Sequence, residues 1–164
     1  SMASETTAAA AGQVGNVRRD PMAMKPFCGY NFGDYWKHWL SFSSRSGNLP
    51  PIFHVNWFRK GADGKFLWPG FGENIRVLEW ILARTDGKAG GEESAIGYLP
   101  KREELNLDGL NLKPSTADSL MVVDVESWKK ELEDIMEYFS SFGDRLPAAL
   151  SNRAELIRNA LGRG

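Results

Sequence analysis

A chain of 164 residues, 42% apolar and 25% charged with a formal net charge of -1, has the composition of a globular protein of one domain, or one and a half, with an ordinary core. That balance argues against a nucleic-acid partner, and no run approaches the roughly 18 apolar residues of a membrane span. The single cysteine, Cys28, and two histidines, His38 and His54, supply neither an internal disulfide nor a Cys/His zinc cage, so the chain reads as cytoplasmic.

Taken in order, residues 1–19 hold an Ala/Thr/Gly-rich run with Val14 as its one large apolar residue between Thr6 and Gly15. Such a run has little to pack against a core, and a mobile tail is expected. Ser4 is placed to cap a short helix through the alanines, marginal without tertiary support. After Asp20-Pro21, the spacing of Phe32, Tyr35, Trp36, Trp39, Leu40 and Phe42 predicts a helix over 31–43. Ile52 to Phe58 is short, apolar and rich in β-formers, and reads as a strand. Gly61-Ala62-Asp63-Gly64 has turn chemistry, and Lys65 to Trp68 is read as the returning strand of a hairpin ended by Pro69-Gly70.

From about Glu73, Ile75, Val77, Leu78, Ile81 and Leu82 form a helical stripe that closes at Asp86-Gly87. Lys88 to Ser94 reads as a polar connection, Ala95 to Leu99 as a short strand, and Glu103 to Leu110 as a brief helix or turn. From Ser119, a strong amphipathic signal through Val125, Trp128, Leu132, Ile135 and Phe139 runs to Gly143, and Pro147 opens a last helix through Leu150, Leu156, Ile157 and Leu161. The fold class is α+β: a hairpin or small mixed sheet with several flanking helices. Neither an internal repeat nor a domain boundary is visible.

Common catalytic signatures are missing: there is no GxxxxGK[ST], GxSxG, HExxH or GxGxxG. His54, in an apolar stretch, reads as a structural histidine rather than a catalyst, and Cys28 as an unreactive thiol. The charges Glu131, Glu133 and Asp134 beside Lys129 and Lys130 read as a solvated helix face.

The unusual feature is NWFRKGADGKFLWPGFGEN, which gathers Trp57, Phe58, Phe66, Trp68 and Phe71 within fifteen residues. Aromatic faces sandwich a planar base, with stacking worth about 1–3 kcal/mol per base, and the Asn74 amide both donates and accepts. The competing reading makes the same rings a plain core. The helix start at Gly72-Glu73-Asn74 offers free amides to a phosphate, but the Glu73 carboxylate already satisfies the helix dipole and repels a polyphosphate. A neutral base edge suits the position better.

This block, with SETTAAA, RRDPMAMKPFCGYNFGDYWKHWL and RVLEWILARTDGK in the same order around it, resembles the C-terminal part of the GTP-type phosphoenolpyruvate carboxykinases. The resemblance implies a C-terminal nucleotide-binding domain, with residues 1–19 as a lid and its flank and residues 20–164 as the guanine-binding portion. It implies the conversion of oxaloacetate and GTP to phosphoenolpyruvate, GDP and carbon dioxide in gluconeogenesis, a lyase (decarboxylase) reaction using manganese at the catalytic centre and a second divalent ion, magnesium, with the nucleotide. It also implies a GTP site of Trp57, Phe58, Phe66, Phe71, Gly72, Glu73 and Asn74, in which the three phenylalanines pack around the base and Asn74 meets its polar edge.

By the same resemblance, an Ω-loop lid spans about Thr6 to Val17, and Ser4, Glu5, Thr6, Thr7, Ala8, Ala9, Gly12 and Gly15 belong to it or its flank. Ordering backbone costs about 1–2 kcal/mol per residue, so a lid of small side chains stays open unless bound substrates favour closure. The stretch Ala11-Gly12-Gln13-Val14-Gly15 is less charged than in some family members, so closing energetics do not transfer. Phe27 matches a position near the oxaloacetate/phosphoenolpyruvate site. The family's phosphate loop, metal ligands and substrate arginines belong to parts not included in these 164 residues, so the chain is expected to be a fragment with no catalytic residue or metal ligand, inactive alone and prone to self-association. A reading from another class is a non-catalytic module that grips a peptide through the aromatic hairpin.

Overall fold

The structure, a computed structural model, describes residues 2–4, 17–45 and 47–163. It contains β1 (Met2–Ser4), β2 (Val17–Arg19), α1 (Phe32–Ser41), α2 (Asn74–Thr85), β3 (Glu92–Ser94), β4 (Gly97–Leu99), α3 (Pro114–Met121), α4 (Val125–Ser140) and α5 (Ala148–Leu161). Two antiparallel two-stranded sheets, β1-β2 and β3-β4, accompany the helices, so the fold is α+β. Among the described residues no helix is long and apolar enough to cross a membrane. The chain divides into two compact units, Ser1–Leu49 with Glu133–Ala154, and Pro50–Leu132 with Glu155–Gly164.

In the first unit, α1 begins where Asn31 accepts the Gly33 N–H on its side-chain oxygen at 2.8 Å, satisfying one of the amides a helix start leaves free. Its buried face carries Phe32, Gly33 and Trp36. The Trp36 ring meets Phe32 edge-on at 5.0 Å, Phe139 at 5.6 Å and Phe142 at 4.9 Å. Gly33 is needed for close approach: a Cβ there would lie 2.4 Å from the Arg145 carbonyl oxygen. Arg145 itself pairs with Asp34 in the first turn of α1, where negative charge favours the helix.

At the two ends of the stretch read as a mobile tail, β1 pairs with β2, Met2 opposite Arg19 and Ser4 opposite Val17, so Ser4 lies in a strand, while the run from Thr6 to Gly15 and the helix read through its alanines lie outside the described residues. Strand pairing depends on residues distant in sequence, which local composition does not reveal. Arg19 pairs with Asp134, and the Arg19 and Lys25 cations lie 5.4 and 5.0 Å from the centre of the Tyr138 ring. The remaining lid positions, Glu5 to Asn16, lie outside the described residues.

The second unit is built on Trp68, Trp80, Ala89 and Leu105, with Phe53, Trp57, Val77 and Ile81 packed against them. The predicted stripe forms α2, and Gly87, at φ 73°, ends it in the left-handed region that glycine adopts without penalty. Other expectations are corrected. Ile52 to Asn56 forms no strand, Trp57 and Phe58 lie in a turn, and the hairpin shrinks to one bridge between Lys60 and Phe66. β-Forming side chains do not make a strand without a partner for the backbone groups.

The predicted connection at Lys88 to Ser94 contains β3, which pairs with β4 in the register Glu92 to Leu99 and Ser94 to Gly97. Gly97 adopts φ 126°, and the Ser94 hydroxyl donates to its carbonyl at 2.6 Å. The signal read from Ser119 onward resolves into α3 and α4, and Glu103 to Leu110 keeps only one 3-10 turn, Arg102–Glu104. His54 is exposed, not a packed strand histidine.

Glu104 ties three segments of this unit together. Its carboxylate accepts the Trp80 indole N–H at 3.1 Å and the backbone N–H groups of Gly90 (2.9 Å), Gly91 (3.1 Å) and Lys101 (3.1 Å). Led by the bonds from Trp80 and Gly91, these donors hold its pKa at about 2, below the ordinary 4.5, because each favours the charged form.

Two outcomes are expected. Gly33→Ala drives a methyl group into the Arg145 backbone and should cost about 1–3 kcal/mol in urea unfolding. On acidification the unfolded chain takes up the Glu104 proton first, so the stability this carboxylate confers is complete above about pH 4.5 and is lost as pH falls from there through about 2. Glu104→Gln should weaken the fold at neutral pH and flatten that acid limb, read by tryptophan fluorescence across a pH series.

Candidate functional site

The aromatic block is organised by two short turns. In the first, the Gly61 N–H donates to the Lys65 carbonyl at 2.9 Å and the Leu67 N–H to the Arg59 carbonyl at 2.8 Å, while Gly64 takes φ 75°. This brings Phe58 beside Phe66, their ring centres 5.9 Å apart and their planes inclined at 63°. The Lys60 ammonium lies 5.6 Å from the Phe66 ring centre, within cation–π range. In the second, Gly70 adopts φ 134° and ψ -177°, a region essentially reserved for glycine, and the chain enters the 3-10 turn Phe71–Glu73 that leads into α2.

The rings fall into two classes. Trp57 and Trp68 face inward, their ring centres 6.1 Å apart. Phe58, Phe66 and Phe71 are 72%, 56% and 91% exposed, so they do not form a plain core. Phe71 has no aromatic neighbour among the described residues. Gly72 is exposed, with open space where a Cβ would stand.

Asn74, the first residue of α2, is half-buried and accepts the Trp68 indole N–H on its side-chain oxygen at 2.8 Å. The Glu73 carboxylate pairs with the Arg76 guanidinium at 2.6 Å, and Arg76 also donates to the Asn106 carbonyl at 3.0 Å. The repulsion the sequence assigns to Glu73 is thus partly neutralised by a salt bridge. Chemically, the block offers accessible rings and an amide held in place, a combination suited to a flat heterocycle with a polar edge.

Sequence reasoning missed Trp68 as part of this site. Its signal was the donor-only indole six residues before an amide acceptor, across a Pro-Gly turn. Phe27, at the end of the 3-10 turn Lys25–Phe27, is 79% exposed and belongs to the first unit. Of the residues that the resemblance assigns to a lid and its flank, Ser4 is described as the end of β1 and Val17 as the start of β2. The Cys28 thiol is half-buried and contacts the Tyr30 carbonyl at 3.4 Å. Among the described residues, no group of three or more His, Cys, Asp or Glu side chains is arranged to hold a metal ion.

An open cavity of about 630 Å³, lined by Glu79, Trp80, Arg102, Glu104 and Asp108 among others, contains none of the aromatic-block residues. Its central carboxylate, Glu104, is already committed to structural N–H donors. The aromatic block therefore remains the better candidate.

The sequence model of the family described as "Phosphoenolpyruvate carboxykinase C-terminal P-loop domain" matches residues 1–160, and the chain belongs to that family. Among curated relatives, proteins named phosphoenolpyruvate carboxykinase [GTP] are 50% identical in Paenarthrobacter aurescens strain TC1 over 163 residues and 51% identical in Chlamydia muridarum over 161 residues, each alignment covering 98% of this chain. One from Arthrobacter sp. strain FB24 is 55% identical over 157 residues, 94% of this chain. The chain spans about 27% of the length of the first two relatives and 25% of the third. These relatives give no support to the reading as a peptide-gripping module.

Gly70→Ala forces a side chain onto a backbone geometry that L residues avoid. It is expected to cost about 1–3 kcal/mol and to shift the turn that carries Phe71, read as a lowered melting temperature and altered amide resonances for residues 69–74.

Proposed function

We propose that this chain carries the guanine-nucleotide seat of a GTP-dependent phosphoenolpyruvate carboxykinase. The observation that carries the reading is the exposure of Phe58, Phe66 and Phe71 (72%, 56% and 91%) in the segment that ends at an Asn74 held by Trp68. Rings serving only to fill an interior would be buried, whereas rings serving a base need accessible faces. The names of the relatives support GTP as the nucleotide.

In the whole protein the reaction is the decarboxylation of oxaloacetate with phosphoryl transfer from GTP, yielding phosphoenolpyruvate, GDP and carbon dioxide, within gluconeogenesis and in the cytoplasm. Manganese, with magnesium on the nucleotide, supplies charge neutralisation to that chemistry. The described residues offer no metal cage. The contribution of this chain is base binding by the second unit and, from residues 1–19, a lid. Phe27 is assigned to the neighbourhood of the oxaloacetate/phosphoenolpyruvate site. Positioning and electrostatic preorganisation supply most of phosphoryl-transfer catalysis, so the chain alone is expected to turn over no substrate, and its exposed apolar side chains favour self-association.

Calorimetric titration of the chain with GDP and with ATP, with tryptophan fluorescence in parallel, tests the seat. GDP is expected to bind and ATP to bind more weakly, and Phe71→Ala to weaken GDP binding by about 1–3 kcal/mol. Equal or absent responses to the two nucleotides, or an unchanged affinity in Phe71→Ala, would overturn the reading.

A further inference from the structure

We propose that Trp68 determines which edge of the Asn74 amide meets a bound base, making it a positioning residue for the choice of guanine over adenine. The inference rests on the guanine-seat reading above and adds to it the group that sets base specificity.

An indole N–H donates and cannot accept, whereas an asparagine amide has an accepting oxygen at one end and a doubly donating NH2 at the other. At 2.8 Å from the Trp68 nitrogen, the Asn74 atom must be the oxygen. The rotated amide would set donors against a donor and leave the indole unpaired. That penalty is large because Trp68 is 7% exposed. Trp68 cannot turn away to relieve it: its ring lies in the core cluster with Trp80, Ala89 and Leu105, and Trp57 packs against it at 6.1 Å. Asn74 is equally constrained, because its backbone is the first residue of α2. A buried donor thus fixes a partly exposed amide in one of its two orientations.

The consequence lies on the far side of the amide. The Asn74 NH2 makes no hydrogen bond among the described residues, and it lies three residues after the fully presented Phe71 ring. A base edge that meets this NH2 must offer a lone pair. Guanine offers O6 where adenine offers the N6 amino group. Against adenine, donor faces donor and both lose their water without compensation, the situation in which binding sites discriminate most strongly. If the amide were free to rotate, it could present oxygen to adenine and the distinction would fade.

The test measures the ratio of GDP to ADP affinity by calorimetry for the 164-residue chain and two variants. Trp68→Phe keeps an aromatic ring in the core but removes the donor; the ratio is expected to fall about tenfold, chiefly because ADP binds better. Asn74→Asp keeps an acceptor for Trp68 but replaces the outward donor with an acceptor; the ratio is expected to invert in favour of ADP. In this second variant the indole N–H resonance of Trp68 should stay in its hydrogen-bonded position.

A purely structural role for Trp68 would weaken GDP and ADP alike and leave the ratio unchanged, which overturns the inference while the guanine seat stands. An unchanged ratio in Asn74→Asp overturns it equally, and decides the matter alone if circular dichroism shows Trp68→Phe unfolded. If the unaltered chain binds neither nucleotide, or both equally, the guanine seat falls and the inference falls with it.

Discussion

The hydrogen bond from the Trp68 indole to the Asn74 side chain is the joint on which the second unit's candidate site depends. At one end is a buried ring within the core that also holds Trp80, Ala89 and Leu105. At the other is the first residue of α2. Between them the chain passes through Pro69, Gly70 and the exposed Phe71. Fixing both ends of so short a segment fixes the turn, and the turn places a phenyl ring in solvent, where hydrophobicity alone would not leave it. The energy for presenting Phe71 comes from packing elsewhere, the usual arrangement at a binding site.

The same division of labour extends through the block. Trp57 and Trp68 supply burial, whereas Phe58, Phe66 and Phe71 supply accessible surface. Glu73 balances Arg76, which in turn reaches Asn106, so the start of α2 is stitched to a segment about thirty residues further on. Affiliation with the phosphoenolpyruvate carboxykinase family gives this arrangement its biochemical context. The arrangement itself follows from which rings find partners and which do not.

Much of the helical structure was legible because its signal is local. The stripe from Ile75 to Leu82 and the aromatic spacing from Phe32 to Phe42 each repeat at the helical period, and Gly87 marks the end of α2 without needing any distant residue. Strands were less legible for the opposite reason. Ile52 to Phe58 has β-forming side chains but no pairing partner, while Glu92-Glu93-Ser94 has poor strand composition yet pairs with Gly97 to Leu99 across the Ala95-Ile96 turn. At the site, composition showed a dense aromatic cluster but could not say which rings point outward. The Asn74 orientation was hidden because it depends on Trp68 being buried, a property of the folded core.

Glu104 carries a consequence of a different kind. One carboxylate is shared by α2 through Trp80, by the glycine segment before β3, and by the start of the 3-10 turn at Arg102–Glu104 through Lys101. Release of any of these segments strips a partner from a charge the other two still hold, so each resists opening on behalf of its neighbours. This part of the second unit should therefore fray as one cooperative block, with the amides of Gly90, Gly91 and Lys101 exchanging with solvent in concert although they lie in separate stretches of sequence.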